Sequence, residues 1–258
     1  MRRIQHIVFV AFLMFAVNLT AQSVLLQYHF EKGDTHLIKM KMSQNMAPIM
    51  TMDLGLTMKT VTMSAKDGKF ENKTTFDSVK MDMTAQGESI NFDSNASDEE
   101  LSEEEKKVKA ELSPMLEMVL YQTLDKAGKV LDQKVLPETI SGDQILNQNQ
   151  LTAMVYPLTP LQVGSSWDYS QALNGVKMNV KYTVTKITGT SVFVSILGNI
   201  EGIADAEVGG EMEIDRSSGM PSDVKMNIDM GASAMGMKML VEMTSEKLKS
   251  FSDVKQLN

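Results

Sequence analysis

The sequence predicts an α+β protein, mainly antiparallel β, in which a curved open sheet or half-barrel carries one or two helices on its apolar face. Three observations predict it. Apolar and polar residues alternate with period two along several segments, turn signals separate those segments, and two internal stretches break the alternation.

The alternation is clearest in the second half. Val176, Met178, Val180, Tyr182 and Val184 alternate with Lys177, Asn179, Lys181 and Thr183. Val224, Met226, Ile228 and Met230 follow the same rule, as do Met237, Met239, Val241 and Met243. One apolar and one wet face per strand is the pattern of an antiparallel sheet covered on one side. Turns are expected at Lys32-Gly33-Asp34, Asp67-Gly68, Ala127-Gly128, Ser217-Ser218-Gly219 and Gly231. At the first of these, a three-residue loop would pair Phe30 with His36, Tyr28 with Ile38, Leu26 with Met40 and Val24 with Met42. That register keeps one face apolar. His29 and His36 then point to opposite sides of the sheet, so no histidine metal pair is expected.

Two stretches read as helical. Ser97 followed by Asp98-Glu99-Glu100 has the form of a capping box opening a short helix, and Ser113-Pro114 would restart a helical turn with Pro in first position. A second helix is expected from Asp143 to Met154, ended by Pro157 and Pro160. The chain thus divides into a β-rich first half (24–92), a helical middle (97–154) and a β-rich second half (165–250), within a single β-rich domain spanning 22–258.

The N-terminus is an export signal. Arg2 and Arg3 precede an apolar run from Ile7 to Val17, and small or polar residues lead to a cleavage point expected after Ala21. The run is far short of the ~20 residues a membrane span requires, and no later segment is apolar enough to span. With no Cys, the chain carries neither an acylated lipoprotein cysteine nor a disulfide. A periplasmic or extracellular location follows. The formal net charge is −8, and loss of Arg2 and Arg3 with residues 1–21 makes the mature chain more acidic still. Nucleic acid and anionic membrane surfaces need a basic partner, so neither is expected. A membrane β-barrel would show aromatic girdles, whereas aromatics are only 6% of this chain.

Methionine is the compositional oddity, with 23 residues against one Trp. Met-x-Met recurs at Met40/Met42, Met50/Met52, Met81/Met83, Met235/Met237 and Met237/Met239. On a strand this spacing puts both thioethers on one face, about 7 Å apart. Thioethers select Cu(I) and Ag(I) outside the cytoplasm, which makes a soft-metal carrier one reading. Val, Ile and Leu occupy equivalent places on the same strands, so Met as ordinary core filler is another. The reading we favour lies between. Flexible, polarizable Met adapts to varied apolar partners, and a Met-lined concave sheet would hold a lipid or other apolar small molecule. The candidate ligand-binding residues are Met40, Met42, Met178, Met226, Met230, Met237 and Met239.

Other chemistry is not signalled. The chain has no nucleophile elbow, phosphate loop, dinucleotide fingerprint or zinc-protease helix motif, and neither an enzyme nor a cofactor is expected. Asp93, Asn95, Ser97 and Glu104 fall at calcium-loop positions, but Asp98 stands where the sharp turn needs Gly. Asn72-Lys73-Thr74 and Asn95-Ala96-Ser97 match glycosylation sequons, a frequent chance pattern.

Several landmarks carry a resemblance. They are Tyr28-x-Phe30-x-Lys32-Gly33-Asp34, then Leu124-Asp125-Lys126-Ala127-Gly128-Lys129-Val130, and Pro160-x-x-Val163-Gly164-x-x-Trp167. With these the chain resembles a family of exported Bacteroidota proteins built on a domain of unknown function. Ile214-Asp215-Arg216-Ser217-Ser218-Gly219-Met220-Pro221 is similar to the strand-turn-strand step of LolA/LolB-type lipoprotein-carrier open barrels. This likeness implies a curved sheet with a helix over its concave face and an apolar cavity. The family offers no catalytic residues. The expected function is therefore a non-enzymatic exported protein that binds an apolar ligand or acyl chain. A ligand-free structural or adaptor protein of the envelope is the alternative.

Overall fold

The computed structural model describes residues 23–46, 48–137, 154–173, 176–202, 206–231 and 236–248. The expected export signal, residues 1–21, and nearly all of the expected Asp143–Met154 helix lie outside these. Twelve strands and one helix are described: β1 (Thr35–Met46), β2 (Met50–Lys66), β3 (Lys69–Ala85), β4 (Glu88–Asp93), α1 (Glu103–Leu116), β5 (Val119–Asp125), β6 (Val130–Leu136), β7 (Ser166–Leu173), β8 (Val176–Ile187), β9 (Ser191–Glu201), β10 (Ala206–Asp215), β11 (Pro221–Asp229) and β12 (Lys238–Leu248).

All strands belong to one antiparallel sheet in the order β6-β5-β3-β2-β1-β12-β11-β10-β9-β8-β7, with β4 added beside the far half of β3. The first and last strands meet at its centre, where β1 pairs with β12 from Thr35↔Leu248 to Asn45↔Lys238. Four of the five expected turns join consecutive strands. Asp67 and Gly68, both at positive φ, make the two-residue β2–β3 hairpin that such a pair favours. The sheet is open, because β6 and β7 end it.

Four expectations are corrected. Residues 24–30 do not pair with β1, because β2 and β12 already occupy both of its edges. They form instead an extended strap whose alternate residues Val24, Leu26, Tyr28 and Phe30 are buried. The helix opens at Ser102, not Ser97. Ser102 Oγ accepts from Glu105 N–H at 3.3 Å while the Glu105 carboxylate accepts from Ser102 N–H at 2.7 Å. At Ser97 both the N–H and the Oγ donate to the Glu100 carboxylate, while Glu100 N–H donates to Ser97 O; these bonds close a turn, and buried Leu101 follows it before the helix begins. Pro114 lies inside α1 and restarts nothing. The expected helical middle also holds β5 and β6, a hairpin whose cross-strand pair Leu120 and Val135 is buried.

Register shows that the sheet is rolled. Tyr28 N–H donates to Lys126 O in the β5–β6 turn, and His29 N–H donates to Ser218 O in the β10–β11 turn, both at 2.8 Å. Two turns held by adjacent residues lie within about 10 Å of each other. On a flat sheet β5 and β10 are six strand spacings, roughly 29 Å, apart. The sheet therefore curls around the strap with its apolar face inward.

Glycine permits the closure. Gly128 and Gly219 have φ of 88° and 72°, a region that favours Gly. A Cβ on Gly128 would stand 2.2 Å from Met154 O, and one on Gly219 would stand 1.9 Å from Gln27 O.

The core has two parts. The larger joins the strap, Met154, Tyr156 and Leu161 to the inner residues of β7–β11 and to Phe70 on β3. The smaller gathers Met58, Phe76, Met118, Leu120 and Val135, with Met115 and Leu116 at the end of α1 against it. A strip of cross-strand polar pairs separates them: Thr60–Thr74 at 2.8 Å, Thr62–Asn72 at 2.9 Å and Gln122–Gln133 at 2.9 Å. Asn72, the first sequon asparagine, is thus buried and bonded.

Candidate functional site

Pairing register places each apolar residue on a row that crosses the sheet. One row runs over ten strands: Phe92, Met81, Leu54, Met42, Val241, Met226, Gly210, Ile196, Tyr182 and Trp167. Its ends are closed. Phe92 is buried at one, and Ile196 and Trp167 at the other, where Trp167 stacks on Tyr182 with centroids 5.2 Å apart. Its centre, from Met81 through Leu54, Met42 and Val241 to Met226, is only half-buried. The next row toward the open end, Ile90, Met83, Met52, Gln44 and Met239, is half-buried as well. Among the described residues, neither the strap nor α1 buries this centre.

The far face is polar. Ion pairs tie neighbouring strands there: Lys41–Asp53 at 3.5 Å, Lys225–Glu242 at 3.3 Å and Lys238–Asp229 at 3.3 Å. A groove of about 530 Å³ at the end of these strands is lined by Asp53, Asp82, Asn91 and Lys238 together with Met52, Met83 and Met239.

The sequence-predicted residues divide in three. Met40, Met42, Met226 and Met239 come together on the adjacent strands β1, β12 and β11, where Met42 and Met226 flank Val241 and Met40 faces Met243. Met230 and Met237 sit at the β11–β12 end, joined by a backbone hydrogen bond of 3.0 Å. The Met237 thioether accepts from Gln44 Nε2 at 2.6 Å. Met178 lies on β8, three strands beyond β11; like Met226, Met230 and Met239 it packs against the strap core, whereas Met40 packs against the smaller one. Leu54, Met52, Met81 and Met83 complete the half-buried centre on β2 and β3. The Met-x-Met spacing marks three of them, but only cross-strand register shows that they join the others.

The strap end differs in chemistry. Tyr28 lies 5.4 Å from Phe30 and 5.2 Å from Tyr156, and Phe30 meets Phe70 edge-on at 5.2 Å. Tyr156 O–H donates to Gly219 O at 2.6 Å, and Tyr28 O–H to Met154 O at 3.3 Å. Burial pushes the Tyr28 hydroxyl up to about 12, so both phenols act here as neutral donors. His36 sits below this cluster, its ring 5.4 Å from Phe30. Burial holds it below the ordinary histidine value. His29 is exposed and lines a separate cavity, so the two histidines form no joint site. The acidic residues of the calcium-like loop are engaged locally: Asp93 pairs with Lys80 at 2.7 Å and accepts from Asn95 N–H at 2.9 Å. No cluster of three metal-ligating His, Asp or Glu occurs among the described residues. No helix among them is long and apolar enough to cross a membrane.

No family model and no curated protein matches the chain. A solved structure described as "Lipid-protein interactions in lipovitellin" is similar in fold, with a TM-score of 0.53 and 9% identity. The match covers 86% of this chain and 26% of that one. At that identity the likeness concerns the fold, a large open antiparallel sheet.

Proposed function

We propose that this chain is an exported, non-enzymatic protein that binds an apolar ligand or acyl chain on the Met-rich centre of its rolled sheet. The observation that carries the reading is the half-buried centre of a row whose two ends are closed. Apolar side chains left half-buried side by side on one face have surface that a ligand can still cover. Methionine suits a ligand of variable shape, because its three side-chain torsions and polarizable sulfur fit irregular apolar surfaces. The fold-level likeness to a protein described by its lipid interactions supports the ligand class. So does the likeness of the Ile214–Pro221 step to lipoprotein carriers, which adds the acyl chains of a lipoprotein to the candidate ligands.

Native mass spectrometry of the protein purified from its own envelope tests the reading. A co-purified lipid or acyl mass is expected. A bare mass would instead favour a structural or adaptor role, and bound copper or silver a soft-metal carrier. Either result contradicts the proposal.

A further inference from the structure

At the strap end of the same face, β1, β12 and the β10–β11 turn enclose a second cavity, of about 250 Å³. His36, Lys247 and Asp215 line it together with Ser217, Ser218, Ser222 and Ser245. His36 is 3% exposed, and its Nε2 has no hydrogen-bond partner. Native proteins satisfy nearly all buried polar atoms, so an orphan beside a cavity asks what completes it.

The hydroxyl protons restrict the answer. Ser217 and Ser218 Oγ both donate to Asp215 Oδ1, at 2.6 and 2.8 Å. Ser222 Oγ donates to Glu213 O at 3.3 Å, and Ser245 Oγ donates to Pro221 O. Each serine has one proton, and each of these is spent on an oxygen that can only accept. The four serine oxygens therefore have only lone pairs left for a ligand, and one of those on Ser218 already accepts from Met220 N–H at 3.2 Å. Lys247 is paired with Asp34 at 2.7 Å, which leaves Asp215 as the uncancelled charge. The cavity is rich in acceptors and negative by one. An anion would meet Asp215 and no free hydroxyl proton. A quaternary ammonium would bring charge but no N–H.

We propose that this cavity binds a primary ammonium group, with His36 Nε2, the serine oxygens and Asp215 as its acceptors. A neutral imidazole with its proton on Nδ1 offers Nε2 as a lone pair, and an ammonium supplies the missing donor. The site stands independently of the acyl-chain reading. A free amine and an ethanolamine-type lipid headgroup share this chemistry.

Ethanolamine and choline, titrated into the isotope-labelled chain and followed at the histidine ring resonances, provide the test. Ethanolamine is expected to shift the His36 ring saturably and to bind at least about tenfold more tightly than choline. Equal responses to the two, or no saturable shift of His36, would overturn the proposal. His36→Phe should abolish the heat of ethanolamine binding measured by titration calorimetry and leave the affinity for a fluorescent fatty acid unchanged. If that variant does not fold, the ethanolamine–choline comparison on the unaltered chain still decides. Dihexanoyl phosphatidylethanolamine separates the two sources: tighter binding than free ethanolamine assigns the site to a lipid headgroup, and equal binding to a free amine. Both results sustain the ammonium site. Loss of fatty-acid binding with ethanolamine binding intact would overturn the acyl-chain reading alone.

Discussion

The two ends of the apolar face are built from different side chains for different tasks. At the strap end, Leu26, Tyr28, Phe30, Phe70 and Tyr156 are buried and locked by ring contacts and by hydrogen bonds to backbone carbonyls. Rigid aromatic rings with few torsions specify a single packing there. At the centre, Met42, Met52, Met81, Met83, Met226 and Met239 are half-buried and free of such constraints. Flexible thioethers specify little by themselves. The fold is held where the sheet closes on its strap, and the proposed ligand face is the half-buried centre, where the side chains are less constrained.

That contrast can be broken first at its closed end. Gly219→Ala puts a methyl group against Gln27 O in a backbone region that alanine disfavours, and Phe30→Ala empties a buried aromatic site. Each should cost about 3 kcal/mol or more in urea unfolding. A loss below ~1 kcal/mol for both would mean that the strap is not a structural lock. Tyr156→Phe removes only the hydroxyl that reaches Gly219 O and leaves a buried carbonyl unpaired, so about 1–2 kcal/mol is expected.

Proton linkage sharpens the comparison. His36 is buried with its pKa lowered from 6.5, so below that pH the unfolded chain takes up a proton that the folded chain resists. Its contribution is complete above pH 6.5 and is lost as pH falls from there toward the folded value. Asp34 is also lowered, because Lys247 and the Glu31 N–H outweigh its own burial. Its contribution is lost only below the ordinary carboxylate value of 3.8. The melting temperature should therefore drop between pH 7 and pH 5 and drop less steeply in His36→Phe. Parallel curves for the two proteins would contradict this assignment. The smallest effect on stability is expected at the open centre. Met42→Ala and Met226→Ala should each cost about 1 kcal/mol or less, well under the range for a fully buried Met, while weakening fatty-acid binding measurably.

Much of this architecture is legible in the sequence, and the parts that are not share a cause. Strands β8, β11 and β12 follow from alternation because each has one wet face. The Asp67-Gly68 and Ser217-Ser218-Gly219 turns follow from local backbone chemistry. Residues 24–30 alternate as a strand does, so the sequence alone pairs them with β1. Only the β1–β12 pairing, which joins the two ends of the described chain, shows that β1 has no free edge. The helix start fails for a local reason: Ser97 and Ser102 each have a glutamate three residues on, and the two signals are chemically alike. Strand spacing alone points to Met40, Met42, Met226 and Met239, whereas Met52, Met81 and Met83 join them through register. The His36 cavity has no local signature, since Asp34, His36, Asp215, Ser245 and Lys247 converge from distant parts of the chain.

The most direct test uses the methionines themselves. With every Met labelled at its ε-methyl carbon, a fatty acid is titrated in and each methyl resonance is followed. Saturable shifts are expected for Met42, Met226 and Met239 at the half-buried centre and for neighbouring Met40. None is expected for Met58, Met118 and Met212, which are 5%, 0% and 4% exposed. Uniform small shifts across all seven, or no saturable response at the centre, would overturn the ligand-face proposal.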